Sequence, residues 1–254
     1  MKFKFNPKRE LIIITALVVL FGLIAFTERM KGDVTVSEIQ VSLQNIHENH
    51  YLDEKDVLDL MHLNVENLRG APLSQLNFSQ IEDRIRKSPY VNDAELYSDL
   101  KGNLMVTVSL RRPVARIIQS EGPDAYIGED GTIMPMSRKF SSRVVLISGD
   151  YVPKFVKLDN LYLLEEGSQL MEMLHTIQED PFWSAQVAQI DIDRGGKAVL
   201  FPQVGDETIE FGKPEDLEKK FRKLKIFYKE ILPRVGWNKY DRINVEYEGQ
   251  VVAE

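Results

Sequence analysis

The chain has 254 residues, a formal net charge of −7 at pH 7 and no cysteine. The absence of cysteine excludes disulfides, thiolate catalysis and cysteine-ligated zinc or iron–sulfur sites. The acidic balance disfavours nucleic acid as a ligand, and the 43% hydrophobic and 28% charged residues are typical of a folded protein rather than a disordered stalk.

The N-terminal segment has the pattern of a single membrane anchor. Residues 11–26 carry no charge and follow a head that contains four basic residues within positions 1–10. Positive residues remain on the cytoplasmic side, so we expect a cytoplasmic head over 1–10, a transmembrane helix over 11–27 in the inner (plasma) membrane and the bulk of the chain outside the cytoplasm. A cleaved signal peptide is the alternative, and Ala25-Phe26-Thr27 does not fit its small-residue cleavage site.

The first exported region, over 34–112, predicts the element order β-α-α-β-β. Asp53 and Asn77 are N-cap residues for the two helices, and Ser88-Pro89 ends the second one. The predicted strands are Val34–Val41, Val91–Tyr97 and Leu104–Leu110. The last of these alternates strictly between apolar and smaller residues, which indicates a half-buried antiparallel strand.

The second region, over 113–254, predicts a β-rich domain with flanking helices. Short apolar runs separated by turn signals favour an antiparallel sheet, followed by a helix over about 168–178 and a hairpin around Gly195-Gly196. Pro214 is expected to open a second helix, whose apolar stripe comprises Leu217, Phe221, Leu224, Phe227 or Tyr228, and Ile231. The last element, from Ile243 through Tyr247 with Val251 in register, predicts one alternating strand. The whole chain is therefore expected to be α+β, with a single N-terminal helix, the β-α-α-β-β domain and then a mixed β-sheet domain with flanking helices.

Few residue patterns in the chain point to catalysis or metal binding. His47 and His50 have metal-ligand spacing without an evident third ligand, so exposed histidines are the favoured interpretation. Asp191, Asp193 and Gly195 resemble a calcium loop, although a hairpin turn fits the alternating approach better. With no nucleophile motif or phosphate loop either, we expect a binding protein with no cofactor, no metal, no catalytic residue and no small-molecule substrate.

The order of elements resembles the FtsQ/DivIB family of bacterial cell-division proteins, with a POTRA domain as the first exported unit. The motifs that carry the resemblance are Ser88–Ala94 at a helix–strand junction, Val106–Arg116 at a domain boundary, the Ile127–Gly131 turn, Leu146–Gly149, and Tyr247 with Gly249 in the last strand. Two residues depart from the family pattern. Leu110 stands where glutamate is usual, and Glu246 stands where arginine often precedes the last-strand tyrosine.

The resemblance implies a non-enzymatic membrane scaffold of the divisome at the septum. Its second domain is expected to bind small coiled-coil membrane proteins of the FtsB and FtsL type, and its POTRA domain to place the protein among other division proteins. Two alternatives remain open, namely a membrane-anchored cell-wall enzyme and a POTRA-type envelope assembly factor. The second needs a transmembrane barrel, for which too little chain follows Arg112.

Physical reasoning gives the partner-binding hypothesis a location. A C-terminal strand is readily an edge strand, to which a partner can add a strand of its own. The basic residues between Lys219 and Lys229 form either a solvated helix face or a flank for an acidic partner segment, and Trp237 and Tyr240 either plug the core or meet the partner. The predicted partner-binding residues are Ile243, Val245, Glu246, Tyr247, Gly249, Val251, Trp237, Tyr240 and Lys223.

Overall fold

A computed structural model of the chain describes residues 7–32, 34–45, 50–61 and 68–254, with the side chains of 7–10, 12 and 27–32 excepted. Helix α1 covers Pro7–Gly32. Among the residues described, no helix is found whose length and apolar character suffice for a membrane span. The transmembrane segment therefore stays a prediction.

The chain divides into two compact units, which are described separately. Unit 1 comprises residues 1–44 and 53–109, and unit 2 comprises residues 45–52 and 110–254. The short piece 45–52 groups with unit 2 because the buried ring of Tyr51 packs edge-on against Tyr126, at a centroid distance of 5.7 Å.

Among its described residues, unit 1 contains a three-stranded sheet and two helices besides α1. Strand β3 is central, β1 lies parallel to it on one side and β2 lies on the other. The elements are β1 (Ile39–Gln44), α2 (Glu54–Leu60), a 3-10 turn (Leu73–Gln75), α3 (Phe78–Arg86), β2 (Val91–Ser98) and β3 (Leu104–Leu110). The predicted β-α-α-β-β order is confirmed, although β3 is parallel to one of its two neighbours.

Local sequence explains where the helices of unit 1 begin. The Asp53 carboxylate accepts a hydrogen bond from Asp56 N, and the Asp56 carboxylate accepts one from Asp53 N, which completes a capping box. Asn77 Oδ1 caps α3 by accepting from Gln80 N at 3.1 Å. Both predicted N-caps are confirmed.

The first strand starts later than its β-branched residues predict. Val34, Thr35 and Val36 pair with the connection before α3 instead of with the sheet. Val36 N donates to Ala71 O at 2.9 Å, and Leu73 N donates to Val34 O at 3.0 Å. Propensity correctly predicted extended backbone over 34–36, but it could not identify the pairing partner.

Unit 2 is built on a nine-stranded sheet, in the order β12-β11-β10-β9-β8-β7-β4-β5-β6. The strands are β4 (Pro113–Ile117), β5 (Ala125–Gly128), β6 (Ile133–Pro135), β7 (Val145–Ser148), β8 (Val187–Ile192), β9 (Ala198–Pro202), β10 (Thr208–Gly212), β11 (Arg242–Asn244) and β12 (Val252–Ala253). The hairpin predicted around Gly195-Gly196 is confirmed by the antiparallel pair β8–β9.

The expectation of a purely antiparallel sheet is wrong, because three strand pairs are parallel. These are β4–β7, β7–β8 and β10–β11. The last two parallel pairs are joined by helical connections, since a parallel neighbour requires a crossover rather than a tight turn. The unit is therefore a mixed sheet with flanking helices.

The helices of unit 2 are α4 (Val152–Phe155), α5 (Glu165–Glu179), α6 (Pro181–Gln186), α7 (Leu217–Ile226) and α8 (Leu232–Val235). Trp183, Phe221 and Tyr228 form an aromatic cluster in the buried core. Helix α7 starts at Leu217 rather than Pro214, because Asp216 has a left-handed backbone (φ 52°).

A π-helical segment, Phe227–Ile231, connects α7 to α8. The sequence left open whether Phe227 or Tyr228 belongs to the apolar stripe, and the structure buries both. A π turn has a wider repeat than an α turn, so adjacent residues can face the same side. Ile231, the last predicted member of the stripe, is 38% exposed.

The prediction of one continuous last strand is wrong. Strand β11 ends at Asn244, a loop covers residues 245–251, and the chain returns as β12 to pair antiparallel with β11. Gly249 lies in this loop with φ 72°, a conformation that glycine adopts without steric cost, and it reverses the chain.

Candidate functional site: the C-terminal edge of the nine-stranded sheet

Strand β12 is the outermost strand of the sheet, and in the described part of the chain no strand lies on its outer side. Arg242 and Glu254 exchange both backbone hydrogen bonds, so they form a hydrogen-bonded pair. Antiparallel pairs alternate in type along a ladder, and Ala253, which faces Ile243, is therefore in a non-hydrogen-bonded pair. The N–H and C=O groups of Ala253 consequently point outward, where another strand can reach them.

One ammonium group donates hydrogen bonds to three backbone carbonyls of the loop 245–251. Lys223 Nζ, on α7, donates to Val245 O at 2.9 Å, Tyr247 O at 2.5 Å and Gln250 O at 3.3 Å. These carbonyls do not belong to a strand ladder, and a charged donor is a strong partner for them. Lys223 thus fixes the loop that precedes the open edge. The sequence predicts that Lys223 flanks the partner site, and in the structure it also stabilises the loop beside the edge strand.

The nine predicted partner-binding residues fall into three groups by exposure. Ile243 and Val245 are fully buried core residues, so their side chains are not available to a partner. The partly buried residues are Lys223, Tyr240 and Val251. The exposed residues are Glu246, Tyr247, Gly249 and Trp237. The exposed predicted residues within 245–251 all lie in the loop beside the edge strand and not in a strand.

Tyr247 and Trp237 present large aromatic surfaces to solvent. Tyr247 is 53% exposed, and Trp237 is 52% exposed. The Trp237 ring also contacts Tyr228, with centroids 6.3 Å apart, so it is neither a full core residue nor a free one. Tyr240 packs against Phe227 at 5.7 Å and supports the core, which favours the structural interpretation for this residue.

Glu246 has an internal partner. Its carboxylate lies 3.0 Å from Lys197 Nζ, its N–H donates to Asn244 Oδ1 at 2.8 Å, and its side chain lies over Gly212, where a Cβ would sit 2.5 Å from Glu246 Cγ. The hydrogen bond and charge of Glu246 raise the pKa of the Lys197 ammonium. The acidic residue in place of the family's arginine is therefore part of an ion pair within this domain.

A second set of charges ties the last three strands together. Arg242 on β11 lies 2.6 Å from Glu254 beyond β12 and 3.2 Å from Glu210 on β10. Glu254, followed by Glu210, raises the pKa of the Arg242 guanidinium. Asn244 Nδ2 also donates to Glu210. These contacts strengthen a short edge strand that has few ladder hydrogen bonds of its own.

A basic groove adjoins the loop. It has a volume of about 440 Å³ and is lined by Lys219, Lys220, Arg222 and Lys223 of α7 together with Asp216, Glu246, Glu248 and Gly249. Lys220 is partly buried, and desolvation lowers the pKa of its ammonium group. Its Nζ donates to Lys213 O at 2.7 Å. The groove places positive charge beside Tyr247 and the open edge.

Sequence reasoning extended a single edge strand from Ile243 to Val252, and it missed Ala253 and the separate strand β12, which forms the edge itself. The signal was Gly249, since a glycine within an alternating run also indicates a turn between two short strands. The calcium-loop alternative is not supported, because Asp193 Oδ1 accepts hydrogen bonds from Gly195 N and Lys197 N and so closes the β8–β9 turn. His47 lies outside the described residues, and no metal-binding cluster occurs among the residues that are described.

Comparison with known proteins agrees with this architecture. A model of the POTRA-like domain matches residues 35–109, and a model described as "FtsQ/DivIB, C-terminal related" matches residues 112–254, which is more than half of the chain. No curated protein matches significantly. The element order of unit 1, the nine-stranded sheet of unit 2 and these two matches confirm the resemblance found in the sequence. The chain belongs to the FtsQ/DivIB-related family.

Proposed function

We propose that this protein is a membrane-tethered, non-enzymatic scaffold of the bacterial division machinery, and that it captures another division protein by strand addition at β12. Family membership supports a role in cell division. The observation that carries the capture mechanism is the outward-facing backbone of Ala253 on the outermost strand. An extended partner segment gains main-chain hydrogen bonds at such an edge and gains specificity from side chains beside it.

The surroundings of β12 favour an acidic, partly apolar partner segment. Tyr247 offers a half-exposed ring for apolar contact. The basic groove of α7 supplies positive charge on the same side of the loop. We propose partners of the FtsB and FtsL type, small membrane proteins with coiled-coil segments, because the chain's family points to that class. Other division proteins are proposed to meet the POTRA-like unit.

The tether is proposed to be α1, with residues 1–10 in the cytoplasm and both units outside it. The apolar side chains of α1 are exposed around the helix, as Leu11, Val18, Phe21 and Phe26 show at 63–68% exposure. A helix that is apolar on all sides needs an apolar environment, and a bilayer is the one that fits a single helix followed by folded units. A reporter fused after Glu254 is expected to be active only outside the cytoplasm.

Replacing Ala253 with proline tests the capture mechanism. Proline removes the outward N–H and leaves the hydrogen-bonded pairs on either side, Arg242–Glu254 and Asn244–Val252, with their own donors. An unsatisfied carbonyl in a desolvated interface costs ~1–3 kcal/mol, so we expect co-purification of the partner to fall by roughly tenfold or more.

Ala253→Val is the matched control, because it enlarges the side chain and keeps the N–H. It is expected to retain the partner, and both variants are expected to unfold near the wild-type temperature. Undiminished capture by a folded Ala253→Pro protein would show that the partner binds elsewhere.

A further inference from the structure

The turn between β2 and β3 of unit 1 carries an exposed apolar residue. Leu100 is 97% exposed. Outside α1, only one other large apolar side chain is exposed among the described residues of unit 1, namely Tyr97 at 52%. Both lie at the same end of the hairpin, three residues apart, and the remaining large apolar side chains described in this sheet are buried or partly buried.

This turn lies against the segment that leaves α1. Ser37 Oγ donates to Lys101 O at 3.0 Å, and Ser37 N donates to Gly102 O at 2.9 Å. Gly102, with φ 87°, fits so closely that an added Cβ would lie 2.2 Å from Thr35 O. Strand β1 then runs away from α1 in parallel with β3, so the turn occupies the end of the sheet that faces the tether.

The turn is firmly built, so Leu100 is held outward rather than free to fold back. The Asp99 carboxylate accepts hydrogen bonds from Lys101 N at 2.8 Å and from Asn103 N at 2.9 Å. These bonds, first of all the one from Asn103, keep the pKa of Asp99 below its usual range. The negative charge of Asp99 is thus engaged within the turn.

The exposed charges around the turn are of both signs, with Lys101 and Arg69 against Asp99 and Glu38. Lys101 is exposed in the turn itself, and Arg69 is exposed in the loop that Val36 pairs with. Glu38 is the acidic residue nearest in the adjoining segment, and its carboxylate accepts a hydrogen bond from Gln40. Basic side chains next to an exposed leucine and tyrosine match the composition of protein segments that lie at a bilayer surface.

We propose that the β2–β3 turn dips into the headgroup region of the same bilayer that α1 enters, with Leu100 and Tyr97 as apolar anchors and Lys101 and Arg69 facing anionic phosphates. The proposal rests on the proposed tether. Thr35, which contacts Gly102, follows the end of α1 by three residues, a reach of at most ~10 Å. Helix α1 has 26 residues and is ~39 Å long, close to the ~40–45 Å of a bilayer with both polar regions, so its C-terminal end lies in the polar region and the turn is within range of it.

The functional consequence is orientation. One helix in a membrane allows the attached domain to rotate and tilt, whereas a second contact point next to the helix restricts both motions. Unit 1 would then hold a defined face toward its partners on the membrane.

The absence of cysteine makes the test direct, because one introduced thiol carries one label. Three full-length variants, Leu100→Cys, Asn92→Cys and Phe21→Cys, are labelled with an environment-sensitive fluorophore. Each is reconstituted into vesicles of equimolar phosphatidylethanolamine and phosphatidylglycerol. Asn92 is exposed at the opposite end of β2 and serves as the matched control, and Phe21 reports on insertion of α1. Quenching by nitroxide-labelled lipid is measured for each.

We expect lipid-borne quenching of the Leu100 label to exceed that of the Asn92 label several-fold, with a blue-shifted emission, while the Phe21 label is quenched most. Quenching at Phe21 with equal, low values at Leu100 and Asn92 overturns the membrane contact and leaves the tether intact; a protein partner for the turn would produce this result. No quenching at Phe21 refutes the tether and, with it, the proposed contact.

Discussion

The two edges of the nine-stranded sheet differ in whether other parts of the chain cover their outer backbone groups. At one end, β6 is covered by the chain itself. Ile133 N donates to Asp159 O at 3.1 Å, Thr132 forms an antiparallel bridge with Asn160, and Pro135 at the end of the strand has no N–H to offer. At the other end, β12 has no such cover in the part of the chain that the structure describes.

This difference shows where strand addition can occur. Uncovered edges promote unwanted association, and proteins normally protect them with loops, prolines or charges. Here β12 keeps an open outer side, while Arg242, Glu210 and Glu254 stabilise its inner side. A specific capture site requires one edge that is stable and uncovered. The sheet has this arrangement, because the edge at β6 is covered and the edge at β12 is stabilised but left open.

The largest effect is expected from charge at the open edge. Replacing Tyr247 with Glu removes an exposed aromatic ring and places a carboxylate where an acidic partner segment is proposed to lie. Aromatic hot-spot residues contribute ~2 kcal/mol or more, so the affinity for the partner should fall by roughly 30-fold or more. Tyr247 is 53% exposed and its side chain is not in the core, so the unfolding temperature should hardly change.

Tyr247→Phe is the control, since it retains the ring and removes only the hydroxyl group. We expect near wild-type binding in a pull-down from membranes. If Tyr247→Glu binds as well as the wild type, the loop 245–251 does not contribute to recognition. Strand β12 alone would then distinguish the open edge from the covered one.

A smaller effect is expected from loosening the loop. Lys223→Met keeps the apolar stem and removes the ammonium group that bonds to the carbonyls of Val245, Tyr247 and Gln250. Hydrogen bonds to charged groups contribute ~1.5–3 kcal/mol, part of which is recovered by water at this partly exposed site. We expect partner affinity to fall by about tenfold and amide exchange in the loop to accelerate.

Lys219→Met removes a neighbouring charge of the same helix. Lys219 pairs with Asp216 at 3.2 Å on the surface and does not bond to the loop. Both variants lose one positive charge from the groove, so a loss that is equal in the two would mean that charge alone, and not the fixed loop, determines affinity.

Sequence reasoning was most successful where local chemistry decides the structure. The caps at Asp53 and Asn77 and the β8–β9 hairpin follow from residues close together in the chain. It failed where a distant segment decides. Val34 to Val36 pair with residues 70–73, and the parallel pairs β7–β8 and β10–β11 depend on the course of long helical connections.

The candidate site illustrates both outcomes. Its location near the C-terminus was predicted, and Tyr247 and Gly249 lie beside the open edge. The strand itself was not, because alternation from Ile243 to Val251 fits a single strand as well as two short strands around a turn. Lys223 was named for its charge, whereas its contacts with three backbone carbonyls required knowledge of the fold.

The smallest effect concerns the protected edge. Asn160 Nδ2 donates to Asp130 O at 2.9 Å, and its Oδ1 accepts from Tyr162 N at 2.9 Å. Asn160→Ala should therefore loosen the cover of β6 at a cost of about 1 kcal/mol, as for the loss of other caps. For a domain of this size such a loss lowers the melting temperature by about 2–4 °C, and the amide of Ile133 should exchange faster.

Asn238→Ala is the matched control, because Asn238 is an exposed asparagine in the turn after α8. It should leave both measurements unchanged. Partner binding at β12 should survive in Asn160→Ala, since the two edges are at opposite ends of the sheet. An unchanged melting temperature together with unchanged exchange at Ile133 would mean that Asn160 does not maintain the cover. In that case the protection of β6 depends on the backbone of the 159–161 segment, where Asp159 O accepts a hydrogen bond from Ile133 N and Leu161 N donates one to Gly131 O.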